Sequence, residues 1–350
     1  MARQDSVVDA AEALRALLPA TWTVSLSRPS KSGTDIRLTT PSGAVVGFTA
    51  TMPKDVSPRA IATLDPPSSP TLVVADWISR RSRDLLRAIG ASYLDATGNA
   101  EIRLDEPAVY VRTDGASRNP SPKAAAPSRL RGPKAWAILR TLAEAPPPFG
   151  VRELAAAVDV DPGYVSRVLR ALEDEVLITR TPRGPVTDVE WEGVIRKSAS
   201  TYSLFDSNET STWVASSGPD RFIDDLATAR AGEWAVTGSF AATRLAPVAA
   251  AETAVIYCTD PDRIARAGRL LSTTRGANVV LAVPYDPVVF EATSDSDAVR
   301  YVSPAQVAID SLTGNARMPA EGEAILGWMR KNEPRWRTRA LTPRGRKQSA

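Results

Sequence analysis

The stretch from 151 to 184, VRELAAAVDVDPGYVSRVLRALEDEVLITRTPRG, constrains the fold of this chain more than any other segment. Apolar residues recur at helical spacing in VRELAAAV and again in YVSRVLRAL. Between these helices Asp161 is a good N-cap and Pro162 suits the first helical position, because the carboxylate accepts from free N–H groups and the ring presets φ. LITR and VTDVEW, joined by TPRGP, predict a two-stranded wing. With a preceding helix at about 133–145, the pattern predicts a winged helix-turn-helix.

In the second of these helices, the inward spacing of the apolar residues leaves a polar outer face. We predict that four side chains of this face contact DNA bases: Tyr164, Ser166, Arg167 and Arg170. Basic residues of the wing and of the segment before the first helix are predicted to contact phosphates: Arg129, Arg131, Lys134, Arg180 and Arg183. A purely structural three-helix subdomain uses the same apolar spacing and remains the alternative. Where such modules usually have glycine at the exit of the recognition helix, this chain has Val176.

The chain contains no histidine and one cysteine, Cys258. Nucleophile pairs that need histidine are therefore excluded, and zinc sites built from Cys and His are implausible. A single cysteine also excludes an intramolecular disulfide and fits a reducing cytoplasm. The remaining enzyme chemistry is that of carboxylates with Mg²⁺, as in nucleases and nucleotidyltransferases.

Residues 1–114 predict a mixed α/β domain: an amphipathic helix, three strands, the buried strand TLVVADWI, a helix and further strands. This order is that of the restriction-endonuclease-like fold, whose enzymes place an acid on one strand and a (D/E)-x-K triplet on the next. Asp35 suits the first acid, but the next strand, GFTAT, has neither carboxylate nor lysine. Asp95 and Glu101 have no lysine at the required spacing. We predict that this domain does not cut DNA.

A segment rich in Pro, Ser and Ala at 115–132 predicts a basic linker to the winged-helix domain at 133–196. Strands then alternate with helices over 197–329, which predicts an α/β domain of nucleotidyltransferase-like layout. In such enzymes, a Gly-Ser at the step from strand to helix holds a nucleotide phosphate. The strand TAVIYC that follows Gly238-Ser239 lacks the paired acids that bind Mg²⁺, so we predict a turn and no metal site.

The net charge is only +3, but it is unevenly distributed. Residues 115–200 hold 13 basic and 10 acidic side chains, whereas residues 201–329 hold 9 basic and 16 acidic ones. The basic tail at 330–350 holds 8 basic residues and one acidic residue. This asymmetry is typical of a protein that binds a polyanion. For the tail itself, a solvated terminus and a nucleic-acid contact remain equal alternatives.

The segment RRSRDLLRAIGASYLDATGNAEIRL resembles part of the AbiEi-like proteins, the antitoxin and transcriptional-repressor half of type IV abortive-infection systems. WAVTGSFAATRLAP and VRYVSPAQVAIDSL are similar in layout to the α/β C-terminal domain of that family. The resemblance covers about 75–330. It implies a DNA-binding autoregulator with a nucleotidyltransferase-like toxin as partner. In that family the winged helix stands near the N-terminus, whereas here a domain and a basic linker precede it.

The sequence thus predicts a three-domain cytoplasmic transcriptional regulator that binds double-stranded DNA, without a cofactor and without a membrane span, since no run of about 18 apolar residues is present. A homodimer is an open expectation, because regulators often match two-fold operators. Two alternatives remain. One is a divergent Mg²⁺-dependent nuclease that takes its lysine from elsewhere, such as Lys54. The other is a protein-interaction scaffold in which the acidic region 201–329 binds a basic partner.

Overall fold

The computed structural model describes residues 2–27, 34–121, 130–182, 184–229, 231–296 and 298–343, with side chains left out at 2–7 and 34–35. The chain divides into two compact units. One unit comprises Met1–Pro127 with Asp174–Val176, and the other comprises Ser128–Glu173 with Leu177–Ala350. Both combine helices with a seven-stranded sheet, so the fold is mixed α/β. Within the described ranges, no helix combines the length and apolar character that crossing a membrane requires.

The N-terminal unit is built on a sheet whose strands follow the order of the chain. These strands are β1 (Thr23–Leu26), β2 (Thr34–Thr39), β3 (Val45–Thr51), β4 (Thr71–Ala75), β5 (Ser92–Asp95), β6 (Ala100–Leu104) and β7 (Val109–Thr113). The helices are α1 (Ala2–Leu17), α2 (Pro58–Ile61) and α3 (Arg80–Ala88). Strands β3, β4 and β5 run parallel to one another, and the other neighbours pair antiparallel.

Both faces of this sheet are covered by helices. Leu72 and Val74 of β4 belong to the core cluster that contains α1, whereas Val73 between them belongs to the cluster that contains α2 and α3. Because successive side chains of a strand point to opposite faces, α1 lies on one side of the sheet and the other two helices lie on the other. The N-terminal unit therefore has three layers.

The second unit begins with the winged helix-turn-helix that the sequence predicts. Its elements are α4 (Pro133–Glu144), α5 (Val151–Val158), α6 (Pro162–Asp174), β8 (Ile178–Arg180) and β9 (Val186–Val189). The inward residues predicted for α6 are fully buried: Val165, Val168, Leu169 and Leu172. Phe149, between α4 and α5, forms a backbone bridge with Val186, so a third segment joins the wing.

The C-terminal α/β segment surrounds a second seven-stranded sheet of order β13-β10-β14-β12-β11-β16-β15. Its strands are β10 (Glu209–Val214), β11 (Trp234–Thr237), β12 (Ala254–Cys258), β13 (Leu271–Ser272), β14 (Val279–Val283), β15 (Ser294–Ser296) and β16 (Val299–Tyr301). Its helices are α7 (Trp191–Ala199), α8 (Leu204–Ser207), α9 (Pro219–Thr228), α10 (Gly238–Leu245), α11 (Pro261–Ala267), α12 (Pro304–Leu312), α13 (Met318–Lys331) and α14 (Glu333–Trp336), with a 3₁₀ helix at Pro287–Phe290. The strand-helix alternation is as predicted, but the sequence analysis missed β13, β15 and β16.

The winged helix and the C-terminal sheet share one hydrophobic core. Trp136 and Leu139 of α4 belong to the same buried cluster as Tyr257 of β12 and Ile309 of α12. The two segments that the sequence treats as separate domains therefore lie within one compact unit.

Part of the predicted basic tail is packed against the winged helix. We call residues 333–341 the C-terminal strap. Its Trp336 is buried, with its ring 5.0 Å from that of Trp191 in an edge-on arrangement. Arg337 donates to the backbone carbonyl of Val189 in the wing, at 3.4 Å. The strap is thus structural, whereas residues 344–350 of the predicted tail lie outside the described residues.

Buried polar residues connect α4 to α12. Arg140 is fully buried, forms an ion pair with Glu144, and donates through Nε to Gln306 Oε1 at 3.0 Å. Gln306 in turn donates to Asp310 Oδ1 at 2.8 Å. Arg339 of the strap donates to Glu144 at 3.0 Å. We call Arg140, Glu144, Gln306 and Asp310 the buried polar network. Charged side chains are seldom fully buried unless they are paired, and Arg140 and Glu144 are paired with each other, whereas Asp310 is hydrogen-bonded to neutral side chains.

The carboxylate of Asp310 accepts four hydrogen bonds from side chains around it. It accepts hydrogen bonds from Thr237 at 2.6 Å, Tyr257 at 3.0 Å and Tyr202 at 3.1 Å, besides that from Gln306. Burial nevertheless raises the pKa of Asp310 from 3.8 to about 6, since desolvation outweighs the hydrogen bonds that favour the carboxylate. Relative to the unfolded chain, the folded protein therefore favours the protonated form of Asp310.

Asp310→Asn should remove a pH dependence of stability. Because the folded-state pKa of Asp310 lies at about 6 and its ordinary value is 3.8, its neutral form stabilises the fold fully below the lower value, and this contribution is lost as the pH rises through about 6. On going from pH 7 to 4, the wild type should gain about 2 kcal/mol of unfolding free energy relative to the variant, since at pH 4 the acid of the unfolded chain is still partly ionised. Urea denaturation of both proteins at each pH measures this; a difference that does not change with pH contradicts it.

The exit of α6 has an unusual backbone. Val176 has a φ of 54°, in the left-handed region, as expected for a position where related modules carry glycine. A side chain with a branched β-carbon is disfavoured there, at a cost of about 1–2 kcal/mol. This strained conformation lies in the turn that connects α6 to the first strand of the wing.

Val176→Gly should therefore stabilise the protein, by about 1 kcal/mol after the extra flexibility of glycine in the unfolded chain is subtracted. The measurement is the free energy of unfolding by urea. Val176→Ala is the matched control, because it shortens the side chain and keeps the β-carbon. An equal gain in both variants would show that strain at φ is not the cause.

Candidate nucleic-acid interface

The outer ridge of α6 carries the strongest candidate interface. Arg167 and Arg170 are exposed and lie one turn apart on the same ridge. The predicted cap is present, since Asp161 Oδ1 accepts from the backbone N–H of Tyr164 at 3.0 Å. Gly163, which has no side chain, leaves its position in the first turn open. The first two turns therefore present two guanidinium groups and a helix N-terminus, where anions are favoured.

Tyr164 and Ser166 are half-buried on the flanks of this ridge. Tyr164 packs against the shared core, and the guanidinium carbon of Arg167 lies 5.6 Å from the centre of its ring. This is a cation–π distance. Tyr164 thus holds Arg167 over the first turn of the helix, in addition to bordering the interface itself.

Tyr285, which follows β14, is a neighbour of this interface that the sequence analysis missed. Burial raises the pKa of Tyr285, and the nearby Tyr164 raises it further. Its ring lies 6.1 Å from that of Trp136, edge to face, and its backbone N–H donates to Asn208 at 2.7 Å. Tyr285 of the C-terminal segment and Tyr164 of α6 thus pack against the same core. Local periodicity does not predict this placement, because Tyr285 follows a buried strand and its ring partner Trp136 is distant in the sequence.

The last turn of α6 is acidic. Glu173 lies 3.5 Å from Arg180, whose side chain is only 14% exposed. Arg180 also donates to the carbonyl of Gly184 at 3.3 Å, so it joins the wing to α6. To contact a phosphate as predicted, Arg180 would exchange its carboxylate partner. Glu173 and Asp174 repel phosphates, which leaves the first two turns of α6 as the part that approaches DNA.

Of the other predicted phosphate contacts, Arg131 and Lys134 are exposed at the start of α4. In the described part of the chain, neither pairs with a carboxylate. Arg129 and Arg183 lie outside the described residues.

In the N-terminal unit, Asp95 has a structural environment. Its carboxylate accepts five hydrogen bonds at 2.7–3.1 Å, from Ile78, Thr97 and Asn99. These bonds close the turn ATGNA at 96–100, in which Gly98 has a positive φ of 95°. The lone pairs of this carboxylate are already used.

The other candidate acids of a nuclease are placed differently. Both oxygens of Glu101 accept from Arg87 Nε, at 3.0 and 2.9 Å, and this contact raises the pKa of Arg87. The side chain of Asp35 lies outside the described residues. Within those residues, no group of three or more acidic or cysteine side chains is placed to hold a metal ion.

At the start of α10, where the sequence predicts a turn at Gly238-Ser239, the serine hydroxyl is bonded to a glutamate of the same chain. Ser239 Oγ donates at 2.8 Å to Glu321, which is 1% exposed and lies 3.3 Å from Arg317. A nucleotide phosphate bound to this hydroxyl would have to displace Glu321. Cys258 is buried, and burial raises the pKa of its thiol to about 12, so it stays protonated at neutral pH.

Comparison with protein families agrees with the geometry of α4, α5 and α6. The MarR family model matches residues 133–183, which span these helices and the first strand of the wing. The chain therefore contains a MarR-family winged-helix domain, and the match implies a DNA-binding transcriptional regulator. No curated protein and no solved structure matches the chain.

Asp95→Ala should act as a structural substitution in the N-terminal unit. It leaves the buried backbone N–H groups of Ile78 and Asn99 without an acceptor, at a cost of about 3 kcal/mol or more. Urea denaturation measures the loss. Asp105→Ala, at an exposed turn, is the control and should cost less than about 0.5 kcal/mol. Equal stability of Asp95→Ala and wild type would return this carboxylate to the list of candidate functional groups.

Proposed function

We propose that this chain is a sequence-specific DNA-binding repressor that acts on its own promoter and catalyses no reaction. The observation that carries the proposal is the exposed Arg167–Arg170 ridge, on a capped helix inside the segment that matches the MarR family. Two arginines one turn apart suit bidentate contacts to guanine O6 and N7 in the major groove.

In this mechanism, α6 enters the groove by its first two turns. Arg167, held over Tyr164, and Arg170 contact base edges, while Ser166 and Tyr164 border them. Arg131 and Lys134 neutralise phosphates and fix the register without reading sequence. The shared core and the buried polar network hold α4 rigidly, so little ordering is required when DNA binds.

The absence of catalysis is part of the proposal. It is supported by the engagement of Asp95 and Glu101 with internal donors and of Ser239 with Glu321. Two further parts are a homodimer on a two-fold operator and a toxin protein as partner. The homodimer is argued from operator symmetry. The antitoxin role is supported by the resemblance over about 75–330.

The DNA-reading part is tested by fluorescence anisotropy at physiological salt, with a duplex from upstream of the protein's own gene and a scrambled duplex of equal composition. The wild type should prefer the native duplex by at least about 10³-fold. Arg167→Ala combined with Arg170→Ala should reduce this preference by about 10²-fold or more, since each bidentate contact contributes about 1–3 kcal/mol of discrimination.

Arg221→Ala is the matched control, because this exposed arginine lies on α9 and pairs with Asp225. It should leave the preference unchanged. Equal binding of both duplexes by the wild type would reject autorepression, and selection of sites from a random library would then decide whether any sequence is read. Cleavage of either duplex in Mg²⁺ would reject the non-catalytic part.

The antitoxin part has its own test. Co-expression with the product of the adjacent gene should relieve growth inhibition caused by that product. Unchanged inhibition would remove this part and leave the DNA-reading part intact.

A further inference from the structure

A groove of about 370 Å³ lies at one edge of the C-terminal sheet, between α11 and the edge strand β13. Its apolar lining comes from Trp213, Ala265, Leu270 and Leu271, and its basic lining from Arg266 and Arg269. Ala265 and Leu270 are buried and form its floor, while Trp213 is half-buried. The side chain of Leu271 is 62% exposed. The groove thus offers apolar surface beside two cations.

The edge strand β13, beside the groove, has backbone groups on the side that does not pair with β10. β13 stands at the end of the sheet order and pairs with β10 on one side. The N–H of Thr273 donates to Thr212 of β10 at 3.1 Å. Since successive residues of a strand direct their backbone groups to opposite sides, the N–H and C=O of Ser272 point away from β10. An extended chain can pair with them, as at other sheet edges.

The charge of the groove is opposite to that of its surroundings. Residues 201–329 hold 16 acidic and 9 basic side chains. Other arginines of this region are engaged with neighbours, for example Arg221 with Asp225 and Arg300 with Asp295. By contrast, Arg266 and Arg269 have no carboxylate partner among the described residues, although Asp262 also lines the groove. Two exposed arginines that have no carboxylate partner in the described part of the chain therefore border the apolar surface of the groove.

We propose that this groove binds an extended acidic segment of a partner protein. A large apolar side chain of that segment packs on Leu271 and Trp213, its carboxylates pair with Arg266 and Arg269, and its backbone pairs with Ser272. A second copy of this chain fits less well, because pairing two β13 edges brings the same arginines together. The groove lies outside the MarR match, so the proposal stands apart from the proposed function.

The test measures binding of a fluorescein-labelled EVELEVE peptide to the full chain by anisotropy, with KVKLKVK as the charge-reversed peptide. The wild type should bind EVELEVE with a Kd below about 1 mM and at least about tenfold more tightly than KVKLKVK. Arg266→Glu combined with Arg269→Glu should weaken EVELEVE at least about tenfold. Leu271→Asp should weaken it similarly, while Arg266→Lys combined with Arg269→Lys should retain most of the affinity.

Arg221→Glu combined with Arg300→Glu gives the same change in net charge away from the groove and should bind EVELEVE like the wild type. Circular dichroism and urea denaturation confirm that each variant is folded. Failure of the wild type to bind EVELEVE, equal binding of both peptides, or equal weakening by the two double charge reversals would overturn the proposal. None of these outcomes depends on whether the chain recognises a particular operator.

Discussion

The fully buried guanidinium of Arg140 constrains how the winged helix packs against the C-terminal segment. Arg140 cannot be accommodated in the core without partners, because an unpaired charge there costs several kcal/mol. Those partners come from α4 itself, from α12 and, through Glu144, from the C-terminal strap. Each partner satisfies the charge only in one arrangement. The position of α4 against the C-terminal sheet is therefore specified by polar geometry as well as by apolar packing.

This constraint bears on how the recognition helix is presented. α6 packs on α4 through the shared core, and Tyr164 of α6 and Tyr285 of the C-terminal segment both pack against that core. A winged helix on a flexible tether would have to be ordered when it meets DNA. Here the winged helix shares its core with the C-terminal segment, so the helix that carries Arg167 and Arg170 is packed within the same compact unit.

The winged helix was predictable because its local chemistry and its periodicity agree. The cap at Asp161, the buried spacing in α6 and the break at Val176 all lie within a few turns of chain. The buried polar network could not be predicted in the same way, because an arginine and a glutamate four residues apart on a helix are typical of a solvent-exposed pair. What buries them is α12, far along the sequence. Tyr285 was missed for the same reason.

Length and charge also limited the prediction. β13, β15 and β16 have two or three residues each, too few for an alternating pattern to be recognised. The basic tail was judged by its composition, whereas Trp336 and Arg337 find specific partners in α7 and the wing. Net charge describes how a segment behaves in solvent, and it does not indicate which of its residues are removed from solvent.

The strap also sets an order of events during synthesis. Glu144 and Arg339 are 195 residues apart, and the ribosome makes the winged helix long before it makes the strap. Until then α4 lacks one of its buried ionic partners and Trp191 lacks the ring that covers it. A nascent or prematurely terminated chain that ends before the strap therefore has the whole winged-helix segment without the contacts that Arg339 and Trp336 make with it. The last residues to be synthesised thus complete the packing of a segment that was made much earlier.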